Sequence, residues 1–188
     1  TGNLNVPMFP TPFINPQIVH RTQELLVSTG KRSYSAKLNF VEGVDVESLI
    51  PNRFVRANAI VQFNAYHRVL RDFVDGRNTA ALKAARAITA AFGPKAGTGP
   101  DTNQLDSVHY GLTVRARAES GKVNSVTVTG IGHPGYRSSA NIIGECALMI
   151  ADKKISSSAM YGVVTPAAGL GSRAFDRLQR AGIHFSIT

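Results

Sequence analysis

The chain has 188 residues and a formal net charge of +9 at pH 7, with 43% hydrophobic and 18% charged residues. This size and balance are typical of one globular domain, or of one domain with an appendage, that can bury a core without metals or disulfides. The single cysteine, Cys146, excludes an intrachain disulfide, no Cys/His cluster suggests zinc, and no apolar run approaches the roughly 20 residues of a membrane span.

The N-terminal segment is predicted to lack regular structure. Residues 1–14 contain three prolines, and this pattern favours an extended arm or linker. A short helix follows, with Asn15 as the predicted N-cap, Pro16 at the first helical position and Gly30 after its end. Alternating apolar and polar residues over 33–41 then predict a half-buried strand.

Two helices are predicted in the next segment. The first is long and runs from about Val46 or Asn52 to Phe73, and the second is alanine-rich and covers 79–92. With residues placed about 100° apart, the apolar side chains of the long helix fill an arc of about 200°. We therefore expect this helix to be buried on most sides. The strip opposite that arc could be a solvated face, or a surface for another domain or an anionic ligand. The strip comprises Arg53, Arg56, Ile60, Asn64, His67 and Arg71.

The C-terminal half combines a hairpin with helices. Alternation over 108–118 and 123–131 predicts two antiparallel strands, followed by a helix over 135–151. A helix from Ser172 to about Ala181 and a final strand over 183–187 complete the chain. A hairpin next to helices predicts an α+β fold, with a mixed, mostly antiparallel sheet and helices packed on it.

The turn after the second hairpin strand is the first candidate for chemistry. Its glycines and Pro134 lead directly into a helix, and the free N–H groups at a helix start can bind an anion. The alternative is that this turn only connects a strand to a helix. Nucleic-acid binding is disfavoured, because the 21 basic residues are dispersed and not interleaved with aromatic residues.

Two long segments carry a family resemblance. Residues 132–151 (GHPGYRSSANIIGECALMIA) and 162–187 (GVVTPAAGLGSRAFDRLQRAGIHFSI) resemble the C-terminal half of saccharopine dehydrogenase-like oxidoreductases. Residues 15–22 (NPQIVHRT) and 94–100 (PKAGTGP) are also similar to segments of that family. One position departs from the family pattern, since His133 stands where those proteins commonly have an acidic residue.

The resemblance implies a domain organisation and a function. Residues 1–14 would be the linker from a missing Rossmann domain, and residues 15–188 would be a C-terminal α+β substrate and dimerisation domain. The whole protein would be an NAD(P)-dependent oxidoreductase, while this part alone would bind no cofactor and would be inactive. A small-molecule substrate and a homodimer are further expectations. Because the chain has no signal-peptide pattern, we expect a cytoplasmic location.

The expected substrate-binding residues lie in the turn, in the tail and near the domain junction. They are His133, Gly135, Tyr136, Arg137, Thr165, Pro166, Asn15 and Arg21. Tyr136 and Arg137 could hold a carboxylate, since a guanidinium offers two parallel donors. No catalytic residue and no metal ligand is assigned. A stand-alone dimerisation or protein-interaction module is the alternative, and a basic nucleic-acid-binding module is a weaker one.

Overall fold

A computed structural model describes residues 6–8, 13–30, 38–93, 95, 97–152 and 160–187. The chain divides into two compact units, Thr1–Thr98 and Gly99–Thr188. The predicted α+β class is confirmed, because helices accompany antiparallel sheets. None of the described helices is long and apolar enough to cross a membrane.

The first unit is mostly helical. Its strands β1 (Val6–Pro7) and β2 (Gly43–Val44) form a short antiparallel pair. Its helices are α1 (Asn15–Ser28), α2 (Val46–Leu49), α3 (Arg53–Val74) and α4 (Ala80–Phe92). The strand predicted over 33–41 lies mostly outside the described residues, and the described residues 38–42 are not in a strand.

Local capping explains where these helices begin. Side-chain oxygens of Asn52 and Thr79 accept hydrogen bonds from the first turns of α3 and α4, as their N-cap positions predict. The predicted start of α1 is wrong by one residue, because Ile14 occupies the N-cap position. Asn15 instead donates from Nδ2 to Glu42 Oε2 at 2.9 Å.

The prediction that α3 is buried on most sides is also wrong, because most of its residues are exposed. His67, on the strip expected to be opposite the buried side, is only 7% exposed. Its ring nitrogens lie 2.8 Å from the carbonyl oxygen of Phe63 and 3.1 Å from that of Met8, so this residue of the strip is packed within the first unit, while Arg53, Asn64 and Arg71 are exposed. Phe54, on the apolar arc, is 72% exposed. Helical periodicity distinguishes two faces, but the neighbouring segments decide which face is covered.

The second unit contains a three-stranded antiparallel sheet in the order β3, β4, β5. These strands are His109–Arg117, Val123–Ile131 and Ile183–Ile187, close to the predicted bounds. Its helices are α5 (Thr102–Ser107), α6 (Arg137–Ala151), α7 (Pro166–Leu170) and α8 (Ala174–Arg180), with a 3-10 turn, Gly171–Arg173, before α8. The pattern of the sequence does not indicate α5, which Asp101 caps.

The core of the second unit lies between the sheet and two helices. Helix α8 contacts both α6 and β5. Phe175 of α8 packs edge to face on Phe185 of β5, with ring centroids 4.9 Å apart. Arg177 of α8 pairs with Glu145 of α6 at 3.2 Å. These contacts hold α8 against both α6 and β5.

Candidate functional site

The turn between β4 and α6 is held by its own backbone. Gly132 has φ +91°, a left-handed conformation that side chains disfavour. Its N–H donates to the carbonyl oxygen of Val108 at 2.8 Å, and the N–H of His133 donates to that of Leu105 at 2.7 Å. These two hydrogen bonds connect the turn to Leu105 of α5 and to Val108, which joins α5 to β3.

Several donors at the start of α6 are used inside this turn. The N–H groups of Tyr136 and Ser138 both donate to the carbonyl oxygen of His133, at 3.0 and 3.2 Å. The N–H of Gly135 donates to the ring Nδ1 of His133 at 3.1 Å. The expectation of a helix start with free, outward-pointing N–H groups is wrong for these donors, because the turn satisfies them itself.

The glycines of this turn also have the spacing G-x-G-x-x-G, at Gly130, Gly132 and Gly135. Our expectation of no cofactor-binding residue overlooked this spacing, which resembles a dinucleotide fingerprint. The structure does not fit that use. The fingerprint works within parallel strand–helix–strand units, whereas β4 pairs antiparallel with both β3 and β5. In addition, the ring of Tyr110 covers Gly130, where an added Cβ would lie 2.4 Å from the ring.

A pocket of about 340 Å³ opens beside this turn, within the second unit. It lies between the end of β4, the first turns of α6 and the loop that joins α8 to β5. Eight residues line the pocket: Asp106, Ile131, Gly132, Arg137, Asn141, Arg180, Ala181 and Gly182.

The charges of the pocket favour an anion or a polarised carbonyl oxygen. Arg137 Nε donates to Asp106 Oδ1 at 2.7 Å. This hydrogen bond, together with the attraction of the carboxylate, raises the pKa of Arg137, so the guanidinium stays charged. The side chain of Arg180 makes no hydrogen bond or ion pair with another described residue. Two guanidiniums and one carboxylate leave one net positive charge, beside the amide of Asn141.

The predicted turn residues lie together. The rings of His133 and Tyr136 contact edge to face, with centroids 5.2 Å apart. Gly135 lies against His133, and Arg137 follows directly as the first residue of α6. Among the eight predicted residues, only Arg137 lines the pocket.

The other predicted residues have structural surroundings. Thr165 is buried and precedes α7, in which Pro166 is the first residue. Asn15 and Arg21 lie on α1 in the first unit, where Glu42 and Glu24 are their respective partners. None of these four residues lines the pocket.

Three polar pocket residues were missed from the sequence. Asp106 lies in α5, Asn141 one turn into α6, and Arg180 at the end of α8. Their positions along the chain carry no shared spacing, because the fold brings them together. The described residues contain no group of three or more metal-ligating side chains that could hold an ion.

Cys146 lies in α6, and the pKa of its thiol leads to a prediction about pH. Burial, and then the negative charge of Glu145, raises the pKa of the thiol. At about pH 8 the folded protein should react with iodoacetamide more slowly than the chain in denaturant, because less thiolate is present. The folded-to-unfolded rate ratio should rise with pH. Glu145→Gln should increase the folded rate, and a ratio that does not change with pH would contradict the prediction.

The chain is similar in sequence to three mycobacterial proteins. It is 31% identical over 103 residues to a candidate trans-acting enoyl reductase of Mycobacterium tuberculosis (strain ATCC 25618 / H37Rv), over 55% of this chain and 25% of the relative. It is 28% identical over 176 residues to the trans-acting enoyl reductase of Mycobacterium ulcerans (strain Agy99), over 79% of this chain and 41% of the relative. The trans-acting enoyl reductase of Mycobacterium leprae (strain TN) is 29% identical over 105 residues, covering 55% and 24%.

The chain thus spans less than half the length of these relatives. No family model and no solved structure matches it.

These relatives correct the family expected from the sequence. They are named trans-acting enoyl reductases, so the assignment to saccharopine dehydrogenase-like oxidoreductases, and the function drawn from it, are wrong. The residues that carried the resemblance explain the error. Gly132 shapes a turn, whereas Ser138 and Thr165 are buried in the second unit. Such residues describe a scaffold, and a scaffold does not determine the substrate.

Proposed function

We propose that this chain is the substrate-side part of an enoyl reductase, which reduces the C=C bond of an α,β-unsaturated acyl compound. The observation that carries this proposal is the similarity to the enoyl reductase of Mycobacterium ulcerans over 79% of the chain. The positively charged pocket beside α6 supports it, because such a site can bind the polar end of an acyl substrate.

Arg137 and Arg180 have the central roles in the proposed site. Hydride addition to the β-carbon of an enoyl group gives an enolate with negative charge on the carbonyl oxygen, and the α-carbon then takes a proton from water to complete the reduction. Guanidinium donors fixed beside that oxygen stabilise the charge as it develops. Asp106 holds Arg137 in position through the 2.7 Å hydrogen bond. Asp106 is therefore a positioning residue.

The hydride donor would be NADH or NADPH, bound outside the described residues of this chain. The antiparallel surroundings of the G-x-G-x-x-G turn do not suit a dinucleotide. We therefore propose that a Rossmann domain precedes the chain, that residues 1–14 link to it, and that residues 15–188 serve as its substrate and dimerisation domain. A cytoplasmic location stays a prediction.

The relatives' names describe reductases that act in trans, and we extend this to the present chain. We propose that its acyl substrate is presented by a separate, acidic protein. The net charge of +9 supports this partner, because opposite charges attract and orient two proteins before they dock.

The reaction with a protein-bound substrate should then slow as salt is added. The reaction with a small free thioester should respond less.

The reductase proposal is tested with the complete natural protein that contains this chain. NADH or NADPH oxidation should depend on an added enoyl thioester, such as a crotonyl thioester. No oxidation of either cofactor, with free or protein-bound thioesters, would overturn the proposal.

The pocket is tested separately with Arg137→Ala. Loss of the guanidinium should lower kcat/KM about tenfold or more, equivalent to roughly 1.4 kcal/mol of transition-state stabilisation. Arg173→Ala is the matched control, because it removes an exposed arginine of the same unit that does not line the pocket. Equal loss in both variants, or in neither, would remove Arg137 from the mechanism without affecting the reductase assignment.

A further inference from the structure

Strand β3 is a long open edge of the sheet. Since β4 lies between β3 and β5, only one side of β3 is paired within the described chain. The strand has nine residues, all of them in regular register with β4. Leu112 and Val114 in its middle are 45% and 48% exposed. Proteins usually protect such an edge with charged side chains, proline, a bulge or short length, and β3 has only the charges of Arg115 and Arg117 towards its end.

The outward-pointing backbone groups of β3 can be identified from the hydrogen bonds at its two ends. The N–H of Gly132 donates to the carbonyl oxygen of Val108 at 2.8 Å, and that of Ala118 donates to Lys122 at 2.9 Å. Hydrogen-bonded pairs alternate along an antiparallel ladder. The even-numbered residues of β3 therefore bond to β4, while the odd-numbered residues direct their N–H and C=O groups to the open edge. Thr113 is the middle one of these.

We propose that two copies of this chain pair β3 against β3, antiparallel, about a two-fold axis at Thr113. The proposal specifies the surface for the homodimer proposed above. Each copy contributes three strands, which would form one six-stranded sheet. An axis at the centre of the strand pairs every residue of β3, and the closed two-fold symmetry stops the association at two copies.

The side chains of β3 are complementary to themselves in this register. Leu112 lies opposite Val114 of the other copy, and Tyr110 lies opposite Ala116, so the apolar rows of the two sheets join. Arg115 faces Gly111. Arg117 faces His109. In this register no arginine of one copy lies opposite an arginine of the other.

Shifting the axis to Arg115 would place the two Arg115 side chains opposite each other, which is unfavourable. This internal complementarity favours a second copy over an unrelated strand.

The first test measures the mass of the complete natural protein that contains this chain, by sedimentation equilibrium at micromolar concentration. We expect a dimer. Thr113→Pro should produce a monomer, because it removes an outward N–H and places a ring at the edge, while the β4 ladder keeps its hydrogen bonds. Thr113→Val keeps the N–H and should stay dimeric. A monomeric natural chain, or a dimer that Thr113→Pro does not weaken, would overturn the proposal.

The second test determines the register and does not depend on how well Thr113→Pro folds. Residues opposite each other in a hydrogen-bonded pair have Cα atoms about 5.5 Å apart, within the reach of a disulfide. In a Cys146→Ser background, Thr113→Cys should therefore cross-link two copies under mild oxidation. Arg115→Cys should not, because Arg115 faces Gly111. Equal cross-linking of both variants would contradict the register. Neither test measures reductase activity, so the two proposals can fail independently.

Discussion

Replacing Met149 by alanine is expected to destabilise the second unit by about 2–4 kcal/mol. Met149 is 1% exposed and is one of the largest fully buried side chains among the described residues. Its truncation removes apolar atoms from the core between α6 and the rest of the unit and leaves a cavity. The loss combines the transfer free energy of the removed atoms with the cavity term.

The next residue of α6 provides the control. Ile150 is 69% exposed, and Ile150→Ala should change the free energy of unfolding by less than about 1 kcal/mol. Peptide-resolved hydrogen exchange measures both variants, because it reports each unit separately. Met149→Ala should lower protection in β4, β5 and α6. Equal effects of the two variants would contradict the assigned core.

Gly130→Ala is expected to cost about 1–3 kcal/mol through overpacking. An added Cβ would lie 2.4 Å from the ring of Tyr110. The ring cannot move without cost, since its hydroxyl group is 2.6 Å from the Oγ of Ser138, which is fully buried. Displacing Tyr110 would leave that buried hydroxyl without its partner, which carries a penalty of its own.

A double-mutant cycle isolates this contact. In a Tyr110→Ala background, Gly130→Ala should cost much less, because no ring remains to displace. Gly111→Ala in β3 is a second control, since its added Cβ would meet only an ordinary contact at 3.5 Å with Thr129. A cost at Gly130 that is the same with and without the Tyr110 ring would refute the explanation.

Features set by neighbouring residues were predictable from the sequence. The alternation of β3 and β4 indicated a hairpin, and the structure pairs them from His109 with Ile131 to Arg117 with Val123. The long helix was predicted to begin at about Val46 or Asn52 and the next one at Thr79. Asn52 and Thr79 are the N-caps, because a short polar side chain satisfies N–H groups only two or three residues away. The turn at Gly132 was recognisable because few residues other than glycine adopt its conformation.

Features that depend on distant partners were not predictable. The prediction that Asn15 caps α1 was wrong. The side chain of Asn15 instead donates a hydrogen bond to Glu42, 27 residues away. The burial of His67 on α3 was not predicted, because its ring contacts the carbonyl oxygen of Met8, 59 residues away. The pocket likewise combines Asp106, Arg137 and Arg180 from three helices, and no local pattern relates them.

The sequence by itself therefore determined the α+β class, most element positions in the second unit and the turn that leads into α6. These depend on periodicity and on hydrogen bonds within a few residues. Only the tertiary structure decided that His67 is the buried residue of α3, which N–H groups of the turn are already satisfied and which charges surround the pocket. Each of these depends on groups far apart in the chain, whose proximity exists only once the chain has folded.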